Sequence, residues 1–352
     1  MLFQVSPVDN VYFGKGVPFG AGFETVGVSV FPPSPSVLYG AFSTYYLSLN
    51  GMNKHNKDFV KANMKIKGLY YSIGDNNLHT LLPMDLVKEK SQLENKAIPL
   101  ELGEPLVYTD IDGENVKFLY SKYTVEGVNA LINEYLMEAY LKGSVENMDY
   151  MLFEDTITVE DKIGIKIDNR TNSAQEGYLY KTHYIRMAKD IYNQIHFVVD
   201  VECGDYSFPE EGFLKLGGEG KIARVEAIKE LPAFFRDDVV EEIKEKVDKT
   251  GYFKLVLVTP AFFKDGWKPD LDSLGIKAEL VSANIGKPIS IGGWDMDKNY
   301  PKTMSKAVPA GSVYYYKLLD GTADELIKKV HKNSISYKRQ NEGFGIALIG
   351  VI

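Results

Sequence analysis

Cysteine is almost missing: Cys203 is the only one in 352 residues, which excludes an internal disulfide and a thiolate zinc cluster. Histidine is scarce too. His55, His79, His183, His196 and His331 lack HxxxH or HxxEH spacing, so no metal and no other cofactor is expected. No run reaches the roughly 18 apolar residues of a membrane helix, and the start, MLFQVSPVDN, lacks the basic and apolar regions of a secretory signal. The expectation is a cytoplasmic protein without membrane contact. Positive charge is in deficit, with 40 Lys and Arg against 48 Asp and Glu and a net charge of −8. That excludes coating nucleic acid by bulk charge and leaves room only for a local basic patch. Neither GxxxxGK[ST] nor GxSxG occurs, so P-loop hydrolysis and an elbow serine have no support.

What is present is ordinary globular composition, 45% hydrophobic and 25% charged, in a chain long enough for two cores. Alternating apolar or β-branched runs predict strands near 2–6, 25–31, 68–73, 163–167, 178–184, 195–201, 252–259, 312–318 and 344–351. Helical spacing predicts a helix after Ser34-Pro35-Ser36 carrying Leu38, Phe42, Tyr45 and Leu49, and others near 128–141, 236–249 and 322–331. Gly143 is a natural stop for the second. From 195 onward the order is βαββαβ, that of a ferredoxin-like fold, and the first half reads the same way with a loop-rich insertion at 75–127. The expected class is therefore α+β, with two ferredoxin-like domains at 1–155 and 156–352 rather than one doubly wound sheet.

Charge is segregated. Nine acidic residues against Lys142 alone occupy 126–161, while Lys54, His55, Lys57, Lys61, Lys65 and Lys67 are opposed only by Asp58. A second basic run, Lys328, Lys329, His331, Lys332, Lys338 and Arg339, contains no acid. Such runs serve either as solvated faces or as anion sites. The second leads into Gly343-Phe344-Gly345, where paired glycines would let backbone N–H groups approach a phosphate, Lys338 and Arg339 would supply charge, and Phe344 would stack a base. The alternative is a tight turn. Phe13 to Gly22 is a glycine-rich loop, and Phe31-Pro32-Pro33-Ser34-Pro35-Ser36 delivers the chain into a helix whose free N–H groups face either an anion or the sheet. A hairpin over 163–184 carries a polar tip, DNRTNSAQEG, from which Arg170 and Lys181 project. A metal-free ribonuclease would need a base such as His55 or His183 beside a 2′-OH.

The segments VPFGAG, FPPSPSVLYGAF, LLPMDL, IGIKIDNRTNSAQEGYLY, LKLGGEGKIARVE, YFKLVLVTPAFFKDGW, GGWDM followed by Pro301-Lys302, AVPAGSVYYY and GFGIALIG occur in one order over nearly the whole chain. Together they resemble the third-subunit family of the Cmr complex, the type III-B CRISPR effector, within the RAMP superfamily. The resemblance implies two ferredoxin-like (RRM-like) domains and a C-terminal glycine-rich loop. It implies a non-catalytic subunit for antiviral defence that holds the 5′ handle of the CRISPR RNA and docks the large signalling subunit and the backbone RAMP subunits. Its RNA contacts carry over first to Lys338, Arg339, Gly343, Phe344 and Gly345. They extend to Ser34 and Ser36, to the hairpin residues Arg170, Lys181 and His183, and to Lys302 and Lys306. Gly217 to Gly220 look like the superfamily's GGE turn. Two alternatives stand beside this reading: a metal-independent endoribonuclease using His55 or His183, and a scaffold that joins partners through its acidic 126–161 surface.

Overall fold

The structure is a computed structural model and describes residues 1–14, 26–74, 77–104, 116–188, 194–295 and 300–352. The VPFGAG segment lies outside them. Two large sheets dominate an α+β fold. The first has eight strands in the order Met151–Leu152, Ala130–Asn133, Asn77–Leu81, Met64–Ile73, Ile195–Cys203, Leu2–Pro7, Ile222–Ile228 and Glu211–Lys215. The second runs Lys277–Asn284, Val313–Asp320, Tyr252–Leu257, Ile346–Gly350 and Asn333–Ser334. Every pairing within the two is antiparallel.

Five α-helices lie among the described residues: α1 (Pro35–Asn50), α2 (Lys54–Asn63), α3 (Glu134–Leu141), α4 (Asp237–Thr250) and α5 (Ala323–Val330). None is long and apolar enough to cross a membrane. Period-2 alternation splits the first sheet's residues between two cores. Phe3, Val5, Phe197 and Val199 pack beneath Leu38, Phe42 and Tyr45 of α1, whereas Leu2, Tyr70 and Val198 face Phe234, Phe235 and Val239 on the side of the second sheet. The helix expected near 236–249 is α4, and its Val239, Ile243 and Val247, spaced four apart, are fully buried. In α5 the Thr322 hydroxyl accepts the Glu325 N–H at 3.3 Å and caps the helix.

Four expectations need correction. The strand at 195 does not open the second sheet; it sits in the middle of the first, between Met64–Ile73 and Leu2–Pro7. The helix expected over 128–141 begins only at Glu134, because Asn133 caps it, its Oδ1 accepting the Leu136 N–H at 2.9 Å. The preceding Ala130, Leu131 and Ile132 are buried in a central strand, and a short apolar run has no periodicity to separate strand from helix. The strand expected near 25–31 is only Val26–Gly27, parallel to Lys181 and Thr182. The described part of 75–127 holds short strands rather than loop, chiefly Leu86–Glu89, Lys96–Pro99 and Val125–Gly127.

A buried polar group ties α3 to the second sheet. Asp85 accepts from the Tyr140 hydroxyl of α3 at 2.7 Å and from the Tyr315 hydroxyl. The Lys254 ammonium lies 3.3 Å above the centroid of the Tyr140 ring. Burial pushes Lys254 down to about 8, against the opposing pull of Asp85.

Candidate nucleic-acid interface

The C-terminal loop takes its shape from packing. After α5 the chain passes through Arg339, held at φ 58°, into a short turn over Gln340–Glu342 and then Gly343 at φ 89°. A Cβ on Gly343 would lie 2.8 Å from Ile66 of the first sheet, and one on Gly345, at φ 73°, 2.6 Å from the Ser336 nitrogen. Only glycine fits. The Gly343 N–H already donates to Gln340 O at 2.9 Å and the Gly345 N–H to Pro260 O at 2.8 Å, so neither is poised for a phosphate as expected. Phe344 is also corrected. It is fully buried in a small core with Phe262, Ile291 and Ala307, where no base can stack on it. The sequence shows an aromatic between glycines without showing which way the ring turns.

What the loop does present is a cation cluster that bridges both halves of the chain. The Arg339 guanidinium lies 4.9 Å from the Phe344 ring centroid. It donates from Nε and Nη2 to Glu342 Oε2 at 3.0 and 2.8 Å, from Nη2 to Ser36 Oγ at 2.7 Å and from Nη1 to Gly292 O at 3.2 Å. The Ser36 hydroxyl donates to Glu342 at 2.5 Å, and Lys302 Nζ pairs with the second Glu342 oxygen at 3.2 Å. Burial pulls the Glu342 carboxyl upward, but Arg339, Ser36 and Lys302 outweigh it and hold the group below the usual carboxylate range. Lys338 Nζ sits 4.6 Å from the Phe262 ring centroid and donates to Ser305 Oγ at 2.8 Å. The next residue along that strand, exposed Lys306, donates to Ser290 Oγ at 2.8 Å.

Ser36, Lys302 and Arg339, expected on separate segments, thus converge on Glu342, with Lys338 and Lys306 held alongside by Ser305 and Ser290. Ser34 precedes α1 in extended conformation without a side-chain cap bond. The hairpin residues belong elsewhere. On the strands Thr158–Asp168 and Ser173–Arg186, Lys181 and His183 both bind Asp161, at 2.7 and 2.5 Å. Arg170 is 90% exposed at the tip, near Asp168. The GGE turn supports the root of this hairpin: Gly218 N–H donates to Tyr12 O at 2.9 Å, and Glu219 accepts from the Tyr184 hydroxyl. His55 stands exposed on α2.

Sequence reasoning missed Glu342, the acid that organises the cluster. Its one signal is position, three residues after Arg339, which a tight turn converts into contact. The residues of GGWDM after Asp295 lie outside the described ones.

The family model described as "CRISPR-associated protein (Cas_Cmr3)" matches residues 3–352. A curated relative, "CRISPR system CMR subunit Cmr3" of Saccharolobus solfataricus, is 26% identical over 193 residues, so the match spans about half of each chain, 53% of both. Among solved structures, a chain of the type III-B Cmr-beta complex bound to cognate target RNA and AMPPnP aligns with TM-score 0.52 and 18% identity, covering 90% of this chain and 86% of that one. A chain of the same complex bound to cognate target RNA aligns at 0.51 and 15% identity, with the same coverage. These structural likenesses concern the fold.

Proposed function

The chain belongs to the Cmr3 family of CRISPR-associated proteins, and from that membership we propose that it is a non-catalytic RNA-binding subunit of a type III-B Cmr ribonucleoprotein. It holds the 5′ handle of the CRISPR RNA and docks the large signalling subunit and the backbone RAMP subunits. The observation that carries the RNA reading is the meeting of Lys302 and Arg339 at Glu342 beside Ser36 at the start of α1, with Lys338 held next to Arg339 by Ser305. Cations fixed by hydrogen bonds around one spot suit the phosphates of a single strand held in a set register. The similar chains come from Cmr-beta complexes bound to cognate target RNA, which agrees with this.

The ferredoxin-like (RRM-like) architecture belongs to the same proposal. Its support is the second sheet, where Val313–Asp320, α5 and Ile346–Gly350 form a split βαβ unit with Tyr252–Leu257 between the two strands.

The test is photocrosslinking in the assembled particle, with 4-thiouridine placed through the repeat-derived handle. Adducts on peptides covering 300–345 are expected, and Lys302→Glu with Lys338→Glu should diminish them and the RNA retained. A particle that assembles normally yet gives no adduct on this chain refutes the reading.

A further inference from the structure

We infer that the basic face of α2 is a second anion-binding surface that continues the cation cluster of the C-terminal loop and takes the sugar-phosphate backbone of the same RNA strand. This inference rests on the RNA reading above and extends its site.

The face is set by helical geometry. Lys54, Lys57 and Lys61 recur at i, i+3 and i+7, so they line one side of α2. Asn56, Phe59, Val60 and Asn63 turn inward, with Phe59 stacked on Tyr46 of α1 at 5.4 Å. Lys54, His55 and Lys57 are exposed in the first turn, which contains no acid, and have no ion pair among the described residues. Cations there oppose the helix dipole. Asn53 alone caps the helix, its Oδ1 accepting the Asn56 N–H at 2.8 Å. Asp58, four residues after Lys54, is the one acid of α2 against Lys54, Lys57 and Lys61, so the helix keeps a net positive face that an anionic partner would complement.

One contact places the strand that follows α2 against the loop. The helix ends at Asn63, and three residues on Ile66 packs against Gly343. The strand entered from the Lys61 end of α2 therefore packs against the glycine that closes the Arg339–Glu342 turn, and α2 itself extends for about 15 Å. Tyr39 of α1 senses both sides: after burial, Glu342 raises its phenol pKa and Lys61 lowers it. Beside Tyr39, one turn beyond Ser36, Gly40 leaves the helix surface bare; a Cβ there would meet no atom within 4 Å. Mid-helix glycine weakens a helix, and no close packing among the described residues requires it here. A strand passing from the loop to α2 across α1 would use that clearance.

The experiment uses the full chain and a fluorescein-labelled single-stranded RNA carrying the repeat-derived handle, with anisotropy titrations at 50 and 200 mM salt. Two phosphate contacts on a single strand contribute a log–log salt slope of about 1.4, so raising the salt should cost the unaltered chain about sevenfold more affinity than Lys54→Ala with Lys57→Ala. Gly40→Leu should raise Tm while lowering RNA affinity. Equal salt slopes, together with normal binding by Gly40→Leu, overturn the inference. If Lys302→Ala with Lys338→Ala still weakens binding in that case, the loop site stands alone and the RNA reading survives. If no variant changes binding, by the chain or by the particle assembled with it, both readings fail. Unchanged RNA binding with lost co-assembly in the Lys54/Lys57 variant overturns the inference in favour of an acidic protein partner.

Discussion

Replacing Lys254 with methionine should change how stability depends on pH. The ammonium is 5% exposed and stacked on the Tyr140 ring, with Asp85 nearby. Burial lowers it from 10.5 to about 8. Below pH 8 the lysine is charged in folded and unfolded chains alike, and the folded state bears the full cost of burying that charge. Between about 8 and 10.5 the unfolded chain holds the proton and the folded one does not, so stability rises with pH. At 1.36 kcal/mol per pH unit the gain across this window is about 3 kcal/mol. Methionine keeps the unbranched shape and does not titrate. Urea unfolding followed by tryptophan fluorescence at intervals from pH 7 to 10.5 should show the unaltered protein gaining about 3 kcal/mol relative to Lys254→Met. All other groups titrate in both proteins and cancel in the difference. A difference that does not move with pH refutes the argument, because it would mean that Lys254 is not held in a dry, low-dielectric place.

Two more perturbations test the frame around the site. Gly345→Ala should destabilise the fold by at least about 2 kcal/mol, since alanine must accept a positive φ and its Cβ would sit 2.6 Å from a backbone nitrogen; an unchanged urea midpoint would show that the loop is not packed there. His331 is buried, its Nδ1 accepts the Ile349 N–H at 3.1 Å, and burial pushes its pKa down to about 3. The neutral ring's contribution is complete above pH 6.5 and falls away as the pH drops toward 3, so about 3 kcal/mol of it is gone by pH 4. His331→Asn, which keeps an acceptor, should therefore lose less stability between pH 7 and 4 than the unaltered protein, and parallel losses would refute the assignment.

The sequence shows the elements with strong periodicity and hides those without it. α4 and α5 were legible because their apolar residues recur every three or four positions and their ends carry suitable residues. α2 was not, since Phe59 and Val60 are its only large apolar residues and its charges read as a solvated run. Strand membership was the deeper difficulty: Ile195–Cys203 looks like any buried strand, and only long-range pairing sends it back to the first sheet. The cation cluster was legible as residue types in three distant segments. Its polarity was not, because the turn that places Glu342 among the cations, and the burial of Phe344, depend on how the loop packs against Ile66, some 280 positions earlier in the chain.

Glu342 gives the loop a competitor of its own. Four of the five Arg339 N–H groups are already engaged, two by this carboxylate, one by Ser36 and one by the Gly292 carbonyl. An anion arriving at the guanidinium therefore exchanges with a resident acceptor instead of filling a vacancy, and its gain is the difference between the two partners. Small monovalent ions gain little by such an exchange. A polyanion gains more, because it can replace the carboxylate at Arg339 while reaching Lys302 and Lys338 at once. If the loop takes RNA as proposed, the internal acid sets a threshold that favours ligands able to engage several cations together over any single nearby negative charge.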